Sequence, residues 1–458
     1  MLDQLMAISP VDGRYANKTT DLREICSEYG LQKHRTEIEL KWLMELAANP
    51  KIPELPSLSK SEQKTLNSIW QNFSEQDATD IKKIEEGMLH DIASLKVWLG
   101  GRIEAAGLAQ HVPFLHFGCT SEDINNLSYG LIIKQSRDVL LKDLDLICKK
   151  LTSLAKDNAS LAMVARTHGQ EASPSTMGKE MAVFAYRLAT QKKTLAALPI
   201  KGKINGATGN YNTWVLAYPK IDWQVVSKKF VEKQVGLTWN PYTTQIESHD
   251  ALGELLQCIV RINMILVDLC RDLWGYIALK YFKLKKVDQE VGSSTMPHKI
   301  NPEKFENAEG NFELAASIAS FLAIRLPVSR WQRDLSDSTL QRNLGLVFAH
   351  SLLGYKSCLA GLDRMTVDEN VISKELAESW FLLTEAAQTM MRKAQVPDAY
   401  KKVKDAVRGE ELDLRSYERL IRSSGLDEET QAQLLKMSPA DYTGLASNLA
   451  RQVGKHCK

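Results

Sequence analysis

The chain has 458 residues, is 44% hydrophobic and 25% charged, and carries a net charge of +2 from 58 basic and 56 acidic residues. That length exceeds what a single hydrophobic core supports, so two or three domains are expected, and the composition carries no sign of disorder. The near-neutral balance argues against a protein built to grip nucleic acid or a membrane surface.

The N-terminus, "MLDQLMAISPVDGRY", has no charged stretch followed by an apolar one, so no secretory signal is expected. The most apolar run, "CIVRINMILVDLC", is interrupted by Arg261, Asn263 and Asp268, and no span reads as a membrane helix. Seven cysteines lie scattered without a C-x-x-C pair, which points to reduced thiols and a cytoplasmic location. Nine histidines show no H-E-x-x-H or similar spacing, and neither a metal nor a cofactor is expected.

Residues 1–111 read as an N-terminal helical domain of short segments, broken by "NPKIPELP" at 49–56. Residues 112–364 read as a central bundle of long helices. In the first of them, Leu140, Leu144, Ile147, Leu151 and Leu154 follow a 4-3-4-3 spacing, and "TSED" at 120–123 offers a helix cap with early acidic residues. A second helix is predicted from Ser173-Pro174, proline suiting the first helical position. A third runs from about His249 to Leu279 through Leu252, Leu256, Ile259, Ile262, Leu266, Leu269 and Leu273. Two more are predicted near 303–325 and 337–363. Val260, Ile265 and Val267 lie off the third helix's main stripe, so neighbouring subunits are expected to cover it. Residues 365–458 form a C-terminal helical domain with short, charged patterns. The few strands are expected beside 198–210 and beside 292–302. The fold class is mainly all-α, in three domains around a bundle of shallowly crossing helices.

Four segments are polar where the periodicity stops: "LHD" (89–91), "FGCTSEDINN" (117–126), "RTHGQEASPST" (166–176) and "GSSTMPHKINP" (292–302). Each taken alone has an ordinary structural reading, as a surface histidine, a helix cap or a flexible linker. Together, and in this order, they are similar to the signature segments of the fumarase/aspartase superfamily, whose members eliminate fumarate from substituted succinates. "SPVDGRY", "RTHGQ", "KINGATGNYN", "WNPYTTQIE" and "LPVSRWQRDLSDST" further resemble the branch that acts on succinylated purine nucleotides. The likeness runs from residue 8 to about 345; Leu89 departs from it, since some close members carry a polar residue there.

The resemblance implies elimination of fumarate from adenylosuccinate, giving AMP, and from succinylaminoimidazole carboxamide ribotide, giving the free carboxamide ribotide. Such a reaction removes a weakly acidic C–H proton and expels a nitrogen that must be protonated, through a carbanion-like species that needs surrounding cations and donors. By motif position, Ser293 is the implied general base, with Lys299 and loop N–H groups to stabilise its alkoxide. His168 is the implied general acid, a role its reference pKa near 6.5 suits. His90 and Asp91 would orient substrate. Thr120, Ser121, Ser294, Lys299 and Asn301 would hold the succinyl carboxylates, with Gln245 and Asn307 beside them. Arg14, Tyr15, Arg333, Ser338, Thr339 and Arg342 offer the cations and small donors a phosphate needs, with Arg330 close by. The stretch from about 286 to 300 reads as a loop that closes over substrate. A homotetramer with a shared helical core is implied, each site borrowing from three chains. The alternatives are another fumarate-releasing lyase of the superfamily and a non-catalytic helical scaffold. The arginine-rich set favours the nucleotide substrate, and an acid–base pair has no use in a scaffold.

Overall fold

The computed structural model describes residues 4–286, 296, 299–407 and 413–457. Its chain divides into two units, one of residues 1–143, 193–264 and 310–354, the other of 144–192, 265–309 and 355–458. The helices that carry the argument are α1 (Glu28–Ala47), α2 (Asp91–Ala105), α3 (Ser121–Asp157), α4 (Met177–Ala197), α5 (Asp250–Ala278), α6 (Glu303–Arg325), α7 (Ser336–Gln341) and α8 (Leu344–Arg364). Helices α3, α4, α5, α6 and α8 each contribute residues to both units.

The predicted stripes are the buried ones. On α3, Leu140, Leu144, Ile147 and Leu151 are fully enclosed, while Leu154 is half-buried and Ala155 takes the core position beside it. On α5, all seven stripe residues from Leu252 to Leu273 are buried. Each such leucine or isoleucine contributes about 1.5–3 kcal/mol on leaving water, which outweighs the modest intrinsic preference of the segment for a helix. Ile265 and Val267 are enclosed within this chain, whereas Met264 and Trp274 on α5 remain exposed.

In the first unit, Trp42 of α1 meets Trp214 at 5.2 Å and Phe230 edge-on at 5.0 Å, and Trp214 stacks on Trp223. The Trp214 indole donates to the Phe117 carbonyl at 2.8 Å. This presses the ring against Gly118, whose φ of +70° already favours glycine; an added Cβ would lie 1.9 Å from Trp214 Nε1. The approach to α3 is thereby set by one aromatic wall. A short parallel pair, β3 (Lys201–Gly202) with β4 (Thr238–Trp239), lies in the same unit.

In the second unit, residues 173–176 do not begin a helix. They belong to an antiparallel hairpin of β1 (Ala162–Thr167) and β2 (Gln170–Thr176), and α4 starts only at Met177. The register places Ser173 and Pro174 opposite the single residue Val164, a bulge that takes the missing proline N–H out of the ladder. Val164 packs with Leu376 and Leu382. The strand β5 (Phe282–Leu284), close in sequence to the polar stretch 292–302 as expected, pairs antiparallel with β6 (Met365–Val367). The region predicted as one helix over 337–363 is two, interrupted at Arg342 and Asn343. A separate apolar cluster around Leu383, Met391, Tyr417 and Ile421 holds the C-terminal helices.

The Gly118→Ala variant is expected to lose about 2–4 kcal/mol of stability, since both the ring and the backbone angle oppose a Cβ. An unchanged denaturation midpoint would show that the Trp214 wall yields.

Candidate active site

The first turn of α3 is organised by Asp123, which is completely buried. Its carboxylate accepts from the backbone N–H of Thr120 at 2.9 Å, of Asn205 at 3.0 Å and of Gly206 at 3.1 Å, and from Lys203 Nζ at 2.8 Å. Lys203 is equally buried, and Asn126 bonds both its backbone N–H and its carbonyl. The expected cap therefore exists, with the carboxylate at 123 rather than a hydroxyl closing it. It binds the "TSED" turn to the "KINGATGN" segment, leaving Thr120 and Ser121 half-buried.

Next to that turn lies a cavity of about 340 Å³, lined by Ala207, Thr208, Gln245 and residues 331–335. Arg333 is its cation. Its Nη1 donates to Gln245 Oε1 at 3.1 Å, and its Nη2 lies 3.2 Å from Glu122 and 3.5 Å from Asp337. Gln245 is fixed in turn by donating to the Ala207 carbonyl at 3.0 Å. Burial, opposed by Arg333 and aided by Asp337, pushes the Glu122 carboxyl up to about 7. Behind the cavity, His249 accepts from Gln341 Nε2 at 3.2 Å, and burial holds its pKa below the usual imidazole range.

A second cluster gathers at the start of α2. His90 caps this helix, its Nδ1 accepting from the Ala93 N–H at 3.2 Å. That bond leaves the ring proton of a neutral imidazole on Nε2, free to donate to a ligand. Asp91 pairs with buried Arg35 at 2.6 Å and lies 3.7 Å from Arg342, which also holds Glu28 at 2.9 Å. Burial would raise the Asp91 carboxyl, but Arg35, the Ile92 N–H and Arg342 outweigh it and keep the group below the ordinary carboxylate range. Leu89, just before, is exposed at a φ of +54°.

His168 occupies the tip of the β1/β2 hairpin, exposed, with φ +56° followed by Gly169 at +74°, a two-residue turn of the twist that hairpins favour. Close to the tip, the hairpin is anchored by Arg166, which ion-pairs with Glu375 and donates to the Tyr281 hydroxyl at 3.0 Å. Burial and the Glu375 carboxylate push the Tyr281 phenol up to about 12, so it stays protonated and donates to Glu375. Lys299 is exposed, and Asn301 and Asn307 are half-buried at the start of α6. Ser293, Ser294 and most of residues 286–300, expected to close over substrate, lie outside the described residues. Arg14 and Lys18 both stand 5.9 Å over the Tyr15 ring. Ser338 and Thr339 lie on α7, half-buried and exposed respectively.

Among the predicted residues, the structure brings together Gln245 with Arg333, and Asp91 with Arg342. It assigns His168, Lys299, Asn301 and Asn307 to one unit and the other described ones to the second. Sequence reasoning missed Arg35, Lys203, Glu122, His249 and Gln341. Glu122 lay within "TSED" and Lys203 within "KINGATGNYN", but nothing in the sequence marked their partners. Among the described residues, no three His, Cys, Asp or Glu side chains gather as a metal would need.

Residues 13–313 match the family model described as Lyase, and residues 329–443 match that described as Adenylosuccinate lyase C-terminal. The motifs read from the sequence stop near 345, so this match carries the likeness about a hundred residues further. The chain is 45% identical over 450 residues to the adenylosuccinate lyase of Vibrio cholerae serotype O1, covering 98% of this chain and 99% of that one. It is 45% identical over 454 residues to that of Escherichia coli strain K12, covering 99% of each. Its fold is that of a fumarate lyase from Mesorhizobium sp. BNC1, with a TM-score of 0.74 at 18% identity over 94% of this chain and 96% of the other.

Replacing Asp123 by Asn leaves Lys203 buried and charged without its counter-ion, and should cost about 3–5 kcal/mol in chemical denaturation. A loss below about 1 kcal/mol would mean that water reaches the amine.

Proposed function

The chain belongs to the adenylosuccinate lyase family, and from that premise we propose that it eliminates fumarate from adenylosuccinate, giving AMP, and from succinylaminoimidazole carboxamide ribotide, giving the free carboxamide ribotide. The observation that carries this reading is the match over 329–443, a segment that holds Arg333, Ser338, Thr339 and Arg342. Those residues suit a phosphate, which aspartate or argininosuccinate lacks.

In this reading Ser293, as alkoxide, takes the proton from the carbon next to a carboxylate, and the electron pair forms the new C=C bond as the C–N bond breaks. His168, as imidazolium, gives its proton to the departing nitrogen. Its exposed position on a tight turn suits a group that must meet substrate supplied by other segments. Thr120, Ser121, Ser294, Lys299, Asn301 and Asn307 hold the succinyl carboxylates, and His90 donates from Nε2 with Asp91 steadying the turn. Gln245 and Arg333 line the cavity where an anionic group docks, while Arg14, Tyr15, Ser338, Thr339 and Arg342 complete the phosphate's surroundings.

The same proposal includes a cytoplasmic homotetramer whose sites are shared between chains. Tyr186, Met264, Trp274, Leu314, Phe321 and Ile324 are exposed on the long helices, apolar side chains that a subunit interface would bury. For the chain's organisation we keep the division into 1–111, 112–364 and 365–458.

Conversion of adenylosuccinate should be followed directly by the change in purine absorbance. The Ser293→Ala variant should lose elimination by more than a hundredfold while still binding AMP, because its hydroxyl acts on the transition state; a tenth of native turnover would remove Ser293 from the base role. Inactive His168→Ala and Ser293→Ala chains, refolded together, should regain roughly a quarter of native activity if the two groups come from different chains. Mixed oligomers as dead as either parent, with exchange verified by mass, would place both groups on one chain.

A further inference from the structure

Glu122 is only 2% exposed, and among the described residues its single ionic partner is Arg333, at 3.2 Å. Its Oε1 has no hydrogen-bond partner among the described residues, and neither has Asp337 Oδ2, the far oxygen of the second carboxylate on the same Nη2. Two enclosed carboxylates thus share one nitrogen of one guanidinium, whose other arm serves Gln245 on the cavity wall. Of the surrounding charges, Lys203 favours the ionised Glu122 and Asp123 opposes it. Lys203 is matched by Asp123 at 2.8 Å, and His249, neutral through burial, faces Glu247 and Gln341. Asp334, on the cavity wall, is turned to Ser336 and Arg330. Two carboxylates and one guanidinium therefore lie directly behind the place where an anion would dock.

We propose that Glu122 is a positioning residue that takes up one proton from solvent when the ligand's phosphate docks on Arg333, handing the guanidinium from the carboxylate to the phosphate. This rests on the nucleotide reading above. The proton comes from water or buffer and ends on a Glu122 oxygen; no other bond is made or broken. In the free protein, burial already pushes this carboxyl up to about 7 against the pull of Arg333. A further negative charge nearby raises it again, so the protonated form becomes the stable one in the complex. The sign follows: above about pH 7 the free group is ionised and binding draws a proton, and near about pH 5 it is already protonated and binding draws none.

The experiment is calorimetric binding of AMP to the full-length protein at about pH 8, in two buffers of different ionisation enthalpy. At that pH the phosphate of AMP, with its second pKa near about 6, contributes no proton of its own. The native protein should take up close to one proton per site at that pH. Glu122→Gln should lose that uptake at about pH 8. If Glu122→Gln does not fold, a native proton number near zero at about pH 8 overturns the proposal. An equal proton number in native and Glu122→Gln protein, with AMP bound to both, overturns it alone. Failure of the native protein to bind AMP at all overturns the nucleotide reading and this proposal with it.

Discussion

The pairing of Asp123 with Lys203, both without solvent exposure, is the constraint from which the first unit's site follows. Taking two charges out of water is costly, and their attraction roughly offsets that cost only when every remaining lone pair and proton is used. Asp123 meets that condition with three backbone N–H donors besides the amine. Such a pair adds little net stability, yet it penalises every other arrangement of the segments it joins. It ties the beginning of α3 to residues 203–206, and so brings Thr120, Ser121 and Glu122 beside the cavity walled by Ala207 and Thr208.

The arginines near this turn are held before any ligand arrives. Arg333 is shared by Gln245, Glu122 and Asp337, Arg342 by Glu28 and Asp91, and Arg35 by Asp91 and Asn125. A long flexible side chain that is already immobilised loses less entropy on meeting a phosphate or carboxylate. The same carboxylates compete with the ligand for the guanidinium, so each pre-positioned cation brings its own electrostatic resistance. Arg14 and Lys18, lying over the Tyr15 ring, are exposed.

Backbone strain is placed at the same points. Leu89, His168 and His249 are not glycines, yet each has a φ between +54° and +63° and each adjoins or belongs to a segment of the site. A non-glycine residue in this region costs about 1 kcal/mol, and it persists only where surrounding contacts hold it. Leu89 turns the chain so that His90 caps α2, His249 does the same ahead of α5, and His168 sits in the turn that two tight strands impose. Packing against helices and the hairpin's twist supply what the local preference withholds.

By itself the sequence determined the long helices, their buried stripes and the segments that bear chemistry. Leucine spacing on a 3.6-residue helix leaves one face to bury, and a run such as "GSSTMPHKINP" has too few apolar groups to be core. Only the tertiary structure decided that residues 170–176 pair as a strand, because a bulge opposite Val164 accommodates the proline that otherwise reads as a helix start. It alone decided that Ile265 and Val267 are covered within the chain, since periodicity reports a face and never the neighbour that meets it. The decisive polar contacts were illegible for a plainer reason. Asp123 and Lys203 stand 80 positions apart, Gln245 and Arg333 stand 88 apart, and Arg35 and Asp91 stand 56 apart. A charge carries no mark of its partner along the chain; the partner is chosen when packing removes water from both.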